Sequence, residues 1–144
     1  MLNLSYGSQR SIQSLKAADN ETLTGSGVDM LGFESVMFIA GALKGEALDF
    51  AMKAQQDIES AFGTAADLEG SSDAFSTTVY VDGLASLDIH QPQERYVRPV
   101  ITVPNAAAAT PVFCIAIKYN PKNYPVSSQG GAFEQHVSPD EGTA

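Results

Sequence analysis

The stretch that decides the fold is RYVRPVITVPNAAAATPVFCIAIKY, residues 95–119. In its first half, side chains alternate with the period of two that marks a β-strand with one core face. The predicted core face carries Val97, Pro99, Ile101 and Val103. The second half, residues 112–119, is apolar on both faces, which is typical of a strand covered on each side. We therefore predict that the two halves pair with each other at the centre of a sheet.

Further strands are predicted from the remainder of the chain. The clearest alternation lies at residues 48–55, where the side chains predicted to point inward are Leu48, Phe50, Met52 and Ala54. An apolar run at residues 36–43 indicates a buried strand, and the short turn after it predicts a hairpin between these two runs. A helix over residues 46–62 is the alternative, because this segment is rich in good helix formers. Residues 76–82 and 87–90 add two more strands.

This pattern predicts an all-β, single-domain β-sandwich of the jelly-roll or a related Greek-key type, with extended terminal arms. Residues 25–120 form the predicted sandwich, and residues 1–24 are either an N-terminal arm or a first strand. Residues 121–144 are rich in Pro, Gly and Ser without periodicity, which predicts an extended C-terminal arm. The apolar anchors in this arm are Tyr124, Val126, Phe133 and Val137. We expect the arm to lie against a surface, because exposed apolar side chains of this kind normally cover one.

Composition narrows the classes of function. At 144 residues with a net charge of −9, the chain is one domain without the electropositive face that a nucleic-acid binder needs. The longest apolar run is far shorter than the roughly 20 residues of a membrane-spanning helix, so we expect no membrane span. The start of the chain lacks the basic and apolar segments of a signal peptide, so we expect the product to stay in the cell that makes it. The single cysteine, Cys114, lies in an apolar strand and is predicted to be buried and inert.

Two histidine pairs are the candidate metal ligands. Asp88 precedes His90 by two residues, as Glu134 precedes His136, and this spacing puts each pair on one face of a strand. Two ligands do not make a site, so we interpret these side chains as solvent-exposed and expect no metal and no cofactor.

Paired carboxylates raise the alternative of a small acidic glycan-active β-sandwich enzyme. Asp67 lies near Glu69, and Asp140 precedes Glu141, as a two-carboxylate mechanism would require. Sugar sites commonly stack a ring on an aromatic side chain, however, and the chain has no tryptophan. The G-x-S-x-G motif of serine hydrolases is also missing from the sequence. We therefore expect that the protein is not an enzyme.

Tyr96 and Arg98 share the strand face opposite the predicted core residues. Both residue types are enriched at protein interfaces, so this face is a candidate contact surface together with the four anchors of the C-terminal arm. The competing interpretation is a solvated strand face with an ordinary ion pair, for example between Glu94 and Arg95.

Several short motifs resemble segments of small virion proteins of tailed bacteriophages and prophages. They are VDMLGF at 28–33, DIH at 88–90, RYVRP at 95–99 and VSPDEGTA at 137–144. Over residues 25–144 the chain is similar to capsid decoration, or cement, proteins, which sit on the shell as β-sandwich trimers. The resemblance implies a homotrimer that binds the major capsid protein on the outside of the virion, after synthesis in the bacterial cytoplasm. A head–tail connector or tail-terminator role for the same sandwich stays open.

Overall fold

The computed structural model describes residues 7–18, 22–42, 49–71, 73–76, 84–102, 110–123 and 126. In this part of the chain all regular structure is β, which confirms the predicted fold class. The strands are β1 (Ser8–Ala18), β2 (Thr22–Thr24), β3 (Val28–Asp29), β4 (Phe33–Ala42), β5 (Asp49–Asp57), β6 (Ala66–Asp67), β7 (Asp73–Ser76), β8 (Leu84–His90), β9 (Tyr96–Thr102) and β10 (Thr110–Pro121). The same residues contain no helix that is long and apolar enough to span a membrane.

The strands form two antiparallel sheets that pack on each other as a β-sandwich. Sheet A has the order β1-β10-β4-β8. Sheet B is centred on the pair β9 and β5. On one side of this pair, β2 and β3 both pair with β9, and on the other side β6 and β7 both pair with β5.

The core lies between the sheets and is built from alternate residues of their central strands. Sheet A contributes fully buried side chains from β4 and β10, namely Val36, Phe38, Ala40, Cys114 and Ala116. Sheet B contributes Met52, Ala54, Val97 and Ile101, which confirms the predicted inward faces of β5 and β9. Of the other predicted core positions, Pro99 is buried, whereas Val103, Leu48 and the side chain of Phe50 lie outside the described residues.

Two predicted strand pairings are wrong. β9 and β10, the two halves of the 95–119 stretch, lie in different sheets, since β9 pairs with β5 while β10 lies between β1 and β4. β4 and β5 do not form a hairpin and also belong to opposite sheets. The connecting segments, 43–48 and 103–109, are longer than the two-residue loops of tight hairpins, which leaves enough chain to cross the roughly 10 Å between packed sheets.

The other predictions made from the sequence agree with the structure in part. The helix alternative at residues 46–62 is wrong, because β5 is an extended strand. The segment at residues 8–18, an arm or a strand by sequence, pairs with β10 as an edge strand of sheet A. β10 is covered on its inner face, whereas Phe113, Ile115 and Ile117 on its outer face keep part of their exposure. Residues 77–82 of the predicted 76–82 strand lie outside the described residues.

Candidate functional site

The outer face of sheet B carries a hydrogen-bonded network around Arg98. The Nε and Nη2 groups of Arg98 donate to Oε1 of Gln55 at 2.9 and 2.8 Å. Gln55 in turn donates through Nε2 to the Asp67 carboxylate at 2.8 Å, and the Lys53 ammonium donates to the same carboxylate at 2.7 Å. The Lys53 ammonium, followed by the Gln55 amide, holds the pKa of Asp67 below its usual value. These contacts fix Arg98 in one geometry on a strand face.

A phenylalanine from the loop after β5 completes this surface. The Phe62 ring lies under the Arg98 guanidinium, whose central carbon is 4.4 Å from the ring centroid, as in a cation–π contact. Phe62 is itself buried and has a φ of 52°. It packs on Gly27, where a Cβ atom would lie 2.4 Å from a ring carbon. Glycine at position 27 is therefore what lets the ring reach the sheet.

The Phe62 loop is held in place by a buried carboxylate at the end of β5. Asp57 accepts backbone N–H bonds from Glu59 at 3.0 Å and from Thr64 at 2.8 Å. These N–H donors, the Glu59 amide first, hold the pKa of Asp57 below its usual value. Because both ends of the turn bond to one side chain, Asp57 sets the position from which Phe62 reaches Gly27.

Beside this network, Arg95 links the loop before β9 to the end of β3. Its guanidinium makes a two-point ion pair with Asp29, at 2.9 and 2.7 Å, and its central carbon lies 5.1 Å from the Tyr96 ring centroid. Arg95 lowers the pKa of Asp29, and Asp29 raises that of Arg95. The pair borders a shallow depression of about 480 Å³ between the 30–34 turn, the 91–95 loop and Lys122. The alternative interpretation of this face gave Glu94 and Arg95 as an example of an ordinary ion pair; in the structure Arg95 pairs with Asp29.

The outer face of sheet A is different, because it is mainly apolar. The register of the four strands places Ile12, Ile115 and Ile39 in one row, and Ile117 beside Met37 in the next row. The exposure of Ile12 is 70%, and that of Leu84 at the far edge is 61%. The ring of Phe113 covers Gly41, where an added Cβ atom would lie 2.7 Å from two ring carbons. We call this surface, residues 12, 37, 39, 84, 113, 115 and 117, the apolar face.

A polar strip borders the apolar face at the end of β8. The hydroxyl of Tyr119 donates to the Asp88 carboxylate, with both oxygens at 2.8 Å, and this bond crosses over β4. Below it, the Ser35 hydroxyl lies 2.6 Å from Nδ1 of His90. Burial, followed by the Asp88 carboxylate, raises the pKa of Tyr119. Asp88 and His90, the predicted candidate metal pair, therefore bond to different hydroxyls.

The other candidate chemical groups have separate environments. No cluster of three or more His, Cys, Asp or Glu side chains suited to a metal occurs among the residues that the structure describes; Glu134, His136, Asp140 and Glu141 lie outside them. Asp67 has a lowered pKa, whereas the general acid of a glycosidase needs a raised one. Cys114 is fully buried, and burial raises the pKa of its thiol to about 12, as expected for an inert side chain.

The predicted interface residues fall into two groups. Tyr96 and Arg98 lie together on the outer face of sheet B and are both half-buried. Of the arm residues, Val126 is half-buried, whereas Tyr124, Phe133 and Val137 lie outside the described residues. Sequence reasoning missed Gln55 and Phe62, the two partners of Arg98. Phe62 could have been noticed, because it is an isolated aromatic residue in a polar segment. Nothing in the sequence indicates that Gln55 contacts a residue of another strand.

Comparisons with known proteins show a shared fold. Neither a protein-family model nor a curated protein sequence matches the chain. A solved structure described as the PBSX exported protein XepA is similar, with a TM-score of 0.58 and 14% sequence identity. The match covers 96% of this chain and 46% of the neighbour, so the chain spans about half the neighbour's length. At this identity the likeness shows that the two proteins share a fold.

Proposed function

We propose that the chain is a structural protein of a phage virion, and that it binds the outside of the capsid as a cement or decoration protein. The observation that carries the proposal is the fold, because a protein of the phage PBSX has a similar fold in a match that covers 96% of this chain. The proposed partners are the major capsid protein and further copies of the chain in a homotrimer. Such a role needs no catalytic centre, cofactor, nucleic acid or membrane.

The outer face of sheet B is the proposed contact with the capsid protein. Arg98 is held by Gln55 and by the Phe62 ring, so little side-chain freedom is lost when a partner covers it. Tyr96 lies beside it on the same face, and buried Tyr and Arg side chains supply much of the binding energy at protein interfaces. The C-terminal arm, with Tyr124, Val126, Phe133 and Val137, is the proposed contact with a neighbouring subunit.

Sedimentation with virion parts tests the proposal. The purified chain is mixed with shells and, separately, with tails from the phage that encodes it, and each mixture is pelleted. We expect saturable binding to shells at a fixed ratio to the capsid protein, and light scattering of the free chain should give the mass of a trimer. Binding to the neck or tail alone would replace this role with that of a connector or tail terminator. Turnover of a glycan by the pure chain would place it among enzymes instead.

A further inference from the structure

The apolar face of sheet A has the size of a site for a chain segment. From Phe113 to Ile117 it is about 13 Å long, and four strands make it about 14 Å wide, so its area is about 180 Å². A stable contact between two folded proteins buries about 800 Å² on each partner, more than four times this area. An extended segment of one chain needs no more room than this face offers. The area therefore favours a segment over a second sandwich as the occupant.

The C-terminal segment, residues 127–144, has the chemistry that this face would accept. It carries the apolar side chains Phe133 and Val137 within an acidic stretch that includes Glu134. The face offers a row of isoleucines, Ile12, Ile115 and Ile39, whose side chains keep part of their exposure. The apolar anchors of the segment can therefore pack on this row.

The direction of β10 favours a neighbouring copy as the source of the segment. β10 ends where Pro121 pairs with Phe33, and the next residue, Lys122, donates its backbone N–H to the Gly32 carbonyl at 2.9 Å. At this end β10 points away from its own apolar face, because Phe113, Ile115 and Ile117 all lie earlier in the strand. Fully extended, residues 127–144 can span at most about 60 Å, which is enough to reach an adjacent subunit.

We infer that the apolar face of sheet A binds the C-terminal segment of a neighbouring copy, with Phe133 and Val137 packed on the row of isoleucines. The inference rests on the proposed homo-oligomer and names the surface that receives the arm. Covering the face in this way removes a row of exposed isoleucines from water and ties each subunit to the next. The contact is head-to-tail, so a closed ring of copies satisfies every face and every segment.

A spin label at position 138 tests this contact in the full chain. Ser138→Cys supplies the labelling site, and the buried native thiol of Cys114, with a pKa of about 12, stays unreacted. Spin-labelled chain at natural isotope abundance is mixed with an equal amount of ¹⁵N-enriched chain that carries no spin label. We expect the amide signals of Ile39 and Ile115 in the ¹⁵N chain to lose about half of their intensity, because half of the neighbouring segments carry the label. The matched control is a label at Ala61, beside Phe62 in the loop of sheet B, which should leave the Ile39 and Ile115 signals of the ¹⁵N chain unchanged.

Three results decide the outcome. If Ile39→Thr with Ile115→Thr restores the signals while the sheet B control Thr24→Val does not, the segment binds the apolar face. Broadening only when label and ¹⁵N are in the same chain would show that the segment covers its own sheet, and no broadening at all would show that it binds elsewhere; both overturn the inference. Shell sedimentation is measured separately, so a failure of capsid binding leaves these signals unchanged and is recognised as a failure of the proposed function alone.

Discussion

Replacing Gly27 with alanine should destabilise the protein more than the same change at Gly32. The two glycines have nearly equal φ values, 86° and 85°, so alanine meets the same backbone strain at both, about 1–2 kcal/mol. At Gly27 the new methyl group would also lie 2.4 Å from the Phe62 ring, whereas at Gly32 no atom lies within 4 Å. Overpacking of this kind typically costs about 1–3 kcal/mol more.

Thermal unfolding followed by circular dichroism measures the difference. At about 4 °C per kcal/mol for a domain of this size, Gly27→Ala should melt about 4–12 °C below Gly32→Ala. Adding Phe62→Ala to Gly27→Ala should remove the extra loss, because the clashing ring is gone, and the double-mutant cycle then gives the coupling between the two positions. Equal melting temperatures for the two alanine variants would refute the reasoning, since the ring would then be free to move off Gly27.

Three further predictions follow from the sites described above. Asp57 has a lowered pKa in the folded chain, so its carboxylate stabilises the fold above the unfolded pKa of about 3.9, and this stability is lost as the pH falls through the lower folded pKa. Asp57→Asn should therefore make the free energy of unfolding, measured by urea titration between about pH 5 and pH 2, depend less on pH. An unchanged pH dependence would contradict the assignment. If sheet B faces the capsid, Arg98→Ala should weaken shell binding about 30-fold, the equivalent of about 2 kcal/mol. The control Lys122→Ala removes an exposed positive charge outside this surface and should change shell binding little, so equal losses would count against the proposed surface. Cys114 should not react with a thiol reagent in the folded chain and should react fully in denaturant, and rapid reaction under native conditions would show that the core opens readily.

The strands could be predicted from the sequence because apolar and polar residues alternate along a half-buried strand. Met52 and Ala54 in β5, like Val97 and Ile101 in β9, are buried where the alternation put them. Which strands pair could not be predicted, because a loop of six or seven residues permits both a hairpin and a crossing to the other sheet. That choice depends on how apolar faces meet in space, and no local pattern records it.

The candidate site was predictable to a smaller extent for the same reason. Residue type and strand alternation placed Tyr96 and Arg98 on one outer face, where the structure has them. The partners that fix Arg98 come from elsewhere, Gln55 from β5 and Phe62 from the loop that follows it. The hydrogen bond from Tyr119 to Asp88 likewise joins strands separated by β4. Such contacts exist only once the sheets are assembled.

The pairing of β1 with β10 determines when the protein can finish folding. Ser8 pairs with Tyr119 and Ala18 pairs with Thr110, so β1 cannot pair until residues 110–119 have been synthesised. Pairings between such distant segments incur a large loop-closure entropy and make folding slow. Until residue 121 has been made, β4 also keeps one unpaired edge, which is a template for aggregation. A ribosome that stops before β10 therefore releases a fragment whose first strand has no partner, and we expect such fragments to aggregate rather than to accumulate as a smaller folded domain.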